Sequence, residues 1–272
     1  MPELPEVETI RLTLEAKLIG RTIIRAEVKH PKMVERQSPA EFIERVQERT
    51  IHSLQRRGKY LLMQLSGDLV LALHLRMTGQ LTVEPVDQPI ATATYLILQL
   101  DNQTELRFRD QRKFGKVFIY QNQAVPEALA KLGPEPLSSE FTLALFQERL
   151  ASHKLAIKKA LLNQEIVAGI GNIYADEALF VAGIYPGRPV DSLTAVELKR
   201  LYDAVRQVLQ EGIAYRGTTK RDYRDGEGKP GSYQDKLRVY GRKGLPCPDC
   251  QRPIAKINLG GRGTHFCPYC QK

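Results

Sequence analysis

Residues 60–83 read YLLMQLSGDLVLALHLRMTGQLTV, and this stretch decides what kind of chain surrounds it. Its apolar residues come in short runs with a period near two, and Ser66-Gly67-Asp68 and Met77-Thr78-Gly79 interrupt them as turns. That is the pattern of consecutive strands rather than of a helix. The same period continues outward through RTIIRAEVKH (21–30), TYLILQL (94–100), ELRFRD (105–110) and GKVFIY (115–120). Ahead of the strands, Val7, Ile10, Leu14 and Leu18 make a helical stripe that Gly20 ends. Residues 1–124 are therefore expected to form a β-rich domain entered by a helix.

The second half is different. VPEALAKLGPEPLSSEF (125–141) is proline-rich and reads as a linker. Residues 142–236 follow with helical stretches at FTLALFQERLAS, LAIKKALLNQ, NIYADEALFVAG and TAVELKRLYDAVRQVLQEGIAY. A polar, glycine-rich loop covers 216–234, and a loop that long in a compact domain is usually functional or disordered. Residues 237–272 close the chain. They hold all four cysteines, as Cys247-Pro-Asp-Cys250 and Cys267-Pro-Tyr-Cys270 with sixteen residues between. Two such knuckles match a closed four-thiolate site for one structural Zn²⁺, and a disulfide pair is the lesser reading.

The formal charge is +9, and six of those nine charges fall in the last 36 residues, around the cysteines. A basic surplus of this kind suits a polyanion such as nucleic acid. No apolar run reaches eighteen residues and no apolar segment follows a basic start, so neither a membrane span nor a signal peptide is expected, and the cytoplasm is the default.

The first residues, MPELPEVETI, pose a chemical question. Removal of Met1 would expose Pro2 as a secondary amine. An α-amino group has a pKa of about 7.7–8.0, so roughly a tenth is unprotonated at neutral pH. Pro5 suits the first turn of the following helix, which sets Pro2 and Glu3 just ahead of a helix N-terminus. That end of the dipole disfavours a protonated amine and attracts phosphate. An amine beside the Glu3 carboxylate could form a Schiff base with a sugar aldehyde carbon while protons move through the acid. The plain alternative is that Glu3, Glu6 and Glu8 only favour the helix dipole.

MPELPEVET, RRGKYLL, HLRMTGQL, RDQRKFG, LGPEPLS, GIGNIYADEALFVAGIYP, RGTTKRDYRD, LRVYGRKGLPCPDC and RGTHFCPYCQK occur in this order across nearly the whole chain. Together they resemble the formamidopyrimidine-DNA glycosylases, bacterial enzymes that remove oxidised purines and then cut the strand. Leu4 favours that branch over the endonuclease-eight branch, which opens Pro-Glu-Gly-Pro-Glu. The resemblance implies an α+β fold of two domains with DNA in the cleft between. The first is a β-sandwich with flanking helices. The second is a helix–two-turn–helix domain ending in a four-cysteine zinc-finger β-hairpin.

By the same resemblance Pro2 is the nucleophile at C1′, Glu3 the proton carrier, and Glu6 a second carboxylate near the site. Lys59 and Arg262 assist elimination from the lesion's phosphates. Met77, Arg112 and Phe114 fill the void left by the flipped base, with Arg112 facing the orphaned cytosine. His74 and Lys158 are implied phosphate-facing residues, and GIGN would hold a phosphate on helix amides with Asn172 adding a side-chain donor. The 216–234 loop closes over the base. Cys247, Cys250, Cys267 and Cys270 bind zinc, and no catalytic metal or organic cofactor is expected. The partner is damaged double-stranded DNA, met by a monomer in the bacterial cytoplasm at the nucleoid. One departure is that Ala93 and Tyr95 stand where many relatives have His-x-His. Two other readings are a non-enzymatic zinc-containing DNA-binding protein and an endonuclease-eight-like enzyme for oxidised pyrimidines.

Overall fold

The computed structural model describes residues 1–272, which divide into two compact units. The first comprises Met1–Ala130 and Tyr215–Ser232, and the second Lys131–Ala214 and Tyr233–Lys272.

In the first unit α1 (Leu4–Leu18) starts at Pro5 in its first turn and buries Val7, Ile10, Leu14 and Leu18 on one face. Eight strands follow: β1 (Thr22–Val28), β2 (Arg49–Arg57), β3 (Tyr60–Leu65), β4 (Leu69–His74), β5 (Gly79–Pro85), β6 (Thr94–Leu100), β7 (Thr104–Asp110) and β8 (Lys116–Gln121). All their pairings are antiparallel, in the order β5-β7-β6-β1-β2-β3-β4-β8. β1 and β2 share only the pairs Thr22↔Thr50 and Ile23↔Arg49. At this seam the strand set divides into the two layers of a β-sandwich. Its core joins Leu61, Met63, Leu71 and Leu73 from one layer with Leu81, Leu96, Leu98 and Phe108 from the other, and α1 adds its own stripe.

β4 is buried at all six positions, which is why its sequence runs apolar with little true alternation. Alternation does not mark β2, whereas α2 (Pro39–Val46) carries Phe42, Ile43 and Val46 at helical spacing. β2 carries polar residues on its outer positions and a register shift near Ile51–Ser53, which blurs its alternation. For α2 a second signal is present: Ser38 caps it, accepting from Glu41 N, and Glu41 bonds back to Ser38 N. Ser-Pro-Ala-Glu is thus a capping box with proline at the first helical position. A short helix, α3 (Glu127–Ala130), lies inside the proline-rich stretch.

Sequence order puts 216–234 with the helices, yet Tyr215–Ser232 groups with the first unit. The buried Tyr223 ring belongs to the sandwich core, and Gly226 N donates to Thr13 Oγ1 of α1 at 2.9 Å.

The second unit holds α4 (Leu143–Ala151), α5 (Ile157–Leu162), α6 (Asn172–Ala182) and α7 (Ala195–Ala214). α7 buries Leu201, Val205, Val208 and Leu209. The Tyr174 ring of α6 stacks on Tyr233 with centroids 5.5 Å apart. β9 (Ala255–Leu259) and β10 (Arg262–Phe266) make the terminal hairpin. Its two-residue loop, Gly260-Gly261, has φ of 58° and 76°, so both positions need the left-handed region that glycine enters without strain. No helix of either unit is long and apolar enough to cross a membrane.

Candidate active site and nucleic-acid interface

At the start of α1, Pro2, Glu3 and Glu6 are all buried. Glu6 is the organiser. Its Oε2 accepts from Glu3 N at 2.8 Å, and its Oε1 accepts from Thr218 N at 2.8 Å. One carboxylate therefore fixes the N-terminal residues and the 215–232 segment together. The approach is close enough to need glycine at 217: φ is +81°, and a Cβ would meet Glu6 Cγ at 2.9 Å. Tyr223 lies on the other side, its hydroxyl reaching Glu6 O at 3.4 Å. Burial first, then the Glu6 charge, pushes that phenol far up, so it stays protonated. The sequence marks the loop as a whole and does not single out Thr218, Gly217 or Tyr223. Their importance comes from Glu6, more than 200 positions away.

Two loops on the sandwich bring Met77, Arg112 and Phe114 together. Arg112 Nη1 lies 3.1 Å from Met77 Sδ, and its guanidinium stands 4.9 Å from the Phe114 ring centroid. All three side chains are exposed, Met77 by 42% and Phe114 by 46%, which is unusual for apolar groups in one cluster. Asp110, fully buried, holds the loops in place. It accepts from Thr78 Oγ1, from Arg112 N at 3.1 Å and from Gly115 N at 2.7 Å. An aspartate at a strand end before a turn is a signal that could have marked it.

Lys59 sits in the Gly58-Lys59 turn between β2 and β3, mostly buried. His74, at the end of β4, packs edge-on against Tyr60 at 4.6 Å, and its Nδ1 accepts from Arg76 N at 3.0 Å. Burial, then the charges of Arg76 and Lys59, press its pKa from 6.5 down to about 3. His74 is thus a neutral ring rather than a cation. Because the folded value is depressed, the ring contributes stability above about pH 6.5, and this is lost as pH falls from there toward 3. NMR titration of the ring should show no protonation at pH 5, and a midpoint near 6.5 would contradict this environment.

In the second unit α6 begins after Gly171, which has no side chain with which to cap the helix. Two of the side chains expected to face DNA have partners within the protein. Lys158 does not face outward: it is 1% exposed, and its Nζ lies 2.6 Å from Asp176 Oδ1 and 2.8 Å from Thr264 Oγ1. Asp176, equally buried, also accepts from His265 N at 2.9 Å. The Asn172 amide likewise points at protein, donating to Gly263 O at 2.9 Å. α5 and α6 thereby grip the backbone of β10 beside Arg262, which is exposed at the hairpin tip. Replacing Lys158 by Met strands a buried carboxylate and should cost about 3–5 kcal/mol in urea unfolding. Loss of a DNA-facing lysine would instead lower the salt slope of duplex binding by about 0.9, which this variant should not do.

The four cysteine Sγ atoms lie within 4.8 Å of one another, with 3.5 Å between Cys250 and Cys267 and 3.8 Å between Cys247 and Cys270. A disulfide needs about 2.05 Å. A tetrahedron of Zn–S bonds of about 2.3 Å has edges of roughly 3.8 Å, so the thiols fit zinc. Around them Phe180, Val239 and Ile254 form a small core, and Gln271 Oε1 accepts from Cys267 N at 2.8 Å.

Comparison with known proteins accounts for each of these regions. Residues 1–117 match the formamidopyrimidine-DNA glycosylase N-terminal domain, 132–224 its H2TH domain, and 244–272 a zinc finger found in FPG and IleRS. The chain is 48% identical over its whole length to formamidopyrimidine-DNA glycosylase of Symbiobacterium thermophilum, covering 89% of that protein. It is 46% identical to that of Herpetosiphon aurantiacus, with both chains fully covered. Among solved structures, the MutM (FPG) protein of Thermus thermophilus superposes with a TM-score of 0.90 at 43% identity, covering 99% of this chain and 98% of that one. Lactococcus lactis Fpg in complex with DNA containing an abasic site gives 0.93 at 38% identity, with 99% of each chain covered. A mutant of the Lactococcus lactis protein bound to DNA containing Fapy-dG also gives 0.93 at 38% identity, with both chains fully covered. From its first strand to its last cysteine, this chain belongs to the formamidopyrimidine-DNA glycosylase family.

Proposed function

We propose that the chain is a bifunctional DNA glycosylase and apurinic/apyrimidinic lyase of base excision repair, acting on 8-oxoguanine and formamidopyrimidines in duplex DNA. The observation that carries the reading is the buried Pro2-Glu3 start of α1, held to the 215–232 segment through Glu6. With Met1 in place the Pro2 nitrogen is an amide and inert. After Met1 is removed it is a secondary amine, and its electron pair attacks C1′ of the damaged nucleotide. The base leaves with the glycosidic pair and takes a proton delivered through Glu3. The amine then gives up its proton, the C1′–O4′ bond breaks with O4′ taking a proton, and the resulting iminium acidifies the C2′ proton. Its removal expels the 3′ phosphate, and a second elimination expels the 5′ phosphate.

Met77, Arg112 and Phe114 fill the space of the flipped nucleotide, and Arg112 pairs with the opposite cytosine. Lys59 and Arg262 hold the phosphates that become leaving groups, His74 contributes a neutral donor, and the α6 amides take a further phosphate. Zinc bound by Cys247, Cys250, Cys267 and Cys270 stabilises the hairpin fold. The enzyme works in the bacterial cytoplasm at the nucleoid.

Borohydride trapping tests the reading. Protein lacking Met1, mixed with a duplex holding 8-oxoguanine opposite cytosine and then reduced, should give an adduct whose mass maps to Pro2. Protein with an uncleaved N-terminal extension should give none. Absence of adduct from processed, DNA-bound protein would overturn the lyase assignment, and preferential trapping on oxidised pyrimidines would overturn the substrate class.

A further inference from the structure

The sandwich carries a second polar cleft, of about 390 Å³, whose lining includes neither Pro2, Glu3 nor Glu6. One wall is the outer face of β5 and β7, where Gln80 and Arg109 are direct cross-strand neighbours. The other wall is Arg221, Asp222 and Arg224 from the 215–232 segment. Gln80 Nε2 donates to Asp222 O and so latches the segment to the sheet edge.

The charges in this cleft are out of balance. Three guanidinium groups face a single carboxylate, that of Asp222. Arg224 donates only to Tyr223 O, at 2.7 Å, and neither Arg109 nor Arg221 has an ion pair. Arg109 Nε is buried with no hydrogen-bond partner at all. Buried donors are normally satisfied, and an orphan in a polar cavity asks for an acceptor from outside the chain. Planar guanidinium groups with free N–H pairs select oxyanions with several acceptor oxygens, phosphate foremost.

We propose that this cleft is a phosphate-binding site, and that its ligand is a terminal phosphate of the cut strand after that phosphate has left Lys59 and Arg262. The assignment of the source rests on the proposed β,δ-elimination, which leaves a phosphate monoester at each side of the gap. A monoester carries about 1.5–2 negative charges at neutral pH against one for an internal diester, which suits a surplus of two cations. A phosphate here would bond Arg109 of the sheet and Arg221 of the segment at once. Its occupancy would hold the segment against β5 and delay product release.

The test uses the full chain with metal bound and four ligands: a gapped duplex with phosphate ends, the same gap with hydroxyl ends, an intact duplex, and inorganic phosphate. Arg109→Gln and Arg221→Gln are compared with Arg25→Gln, which removes the same charge from an exposed site on β1. Wild type and Arg25→Gln should bind phosphate ends about tenfold tighter than hydroxyl ends, a difference of about 1.4 kcal/mol. Arg109→Gln and Arg221→Gln should bind the two within about twofold of each other. Inorganic phosphate should compete for phosphate-ended gaps in wild type but not in these variants. If Arg109→Gln behaves as Arg25→Gln does, the site is refuted. If it weakens the intact and gapped duplexes equally, the cleft takes an internal diester and the terminal assignment fails. Borohydride trapping on abasic DNA is run alongside: wild type that fails to trap refutes the underlying activity, whereas normal trapping by Arg109→Gln isolates the defect to this cleft.

Discussion

Glu3→Gln is expected to slow release of 8-oxoguanine by about 10²–10⁴-fold, the usual worth of a positioned acid–base group. The substitution keeps the size of a side chain that is 2% exposed, and the backbone bond from Glu3 N to Glu6 Oε2 does not involve it. Folding should therefore survive, with a melting temperature near that of the parent. Excision needs a proton for the departing base, but an abasic site has already lost that base. Borohydride trapping on abasic DNA should consequently fall far less than excision does. Single-turnover excision and trapping, run on the same preparation, separate the cases. Equal loss in both would mean that Glu3 shapes the N-terminus rather than moving protons.

Cys267→Ser is expected to have the second large effect. Cys267 is buried, 3.5 Å from Cys250 across the cluster, and its amide is tied to Gln271. Binding of structural zinc is worth on the order of 10–16 kcal/mol in small zinc modules, most of it coupled to folding. Its loss should unfold β9–β10 and with them the tip that presents Arg262. The sandwich core is built of side chains from the first unit and should persist. Zinc content measured with a chromogenic chelator should drop from one equivalent to none. The salt dependence of duplex binding should become shallower by about 0.9 for each phosphate that the hairpin no longer engages. A variant that keeps its zinc and its slope would show that the remaining thiols suffice.

Much of this molecule is legible in the chain because the relevant physics is local. Strand period in 60–83, the helical stripe from Val7 to Leu18, and the paired glycines of the hairpin loop each follow from neighbours in sequence. The zinc ligands belong to the same class, since two CxxC knuckles fix most of a tetrahedron before any fold exists. β2 is obscured because its polar positions mask the alternation. The exposed Met77, Arg112 and Phe114 are recognisable as turn residues, but their meeting is not. It depends on Asp110 and Thr78 joining two loops more than thirty positions apart.

Lys158 shows where sequence reasoning runs out. A lysine in an amphipathic helix is ordinarily a solvated cation, and nothing near it says otherwise. Only the packed unit brings Asp176 and Thr264 to its ammonium, the second from 106 positions away. Asn172 turned to Gly263, and Glu6 bonded to Thr218, are decided in the same way. Periodicity, turn chemistry and ligand spacing act over a few residues, and so the linear chain suffices for the strands, the first helix, the metal ligands and the Pro2-Glu3 start. Which polar groups are sequestered and which face solvent is settled only by long-range packing, because a buried charge takes its partner from whatever the fold brings within about 3 Å.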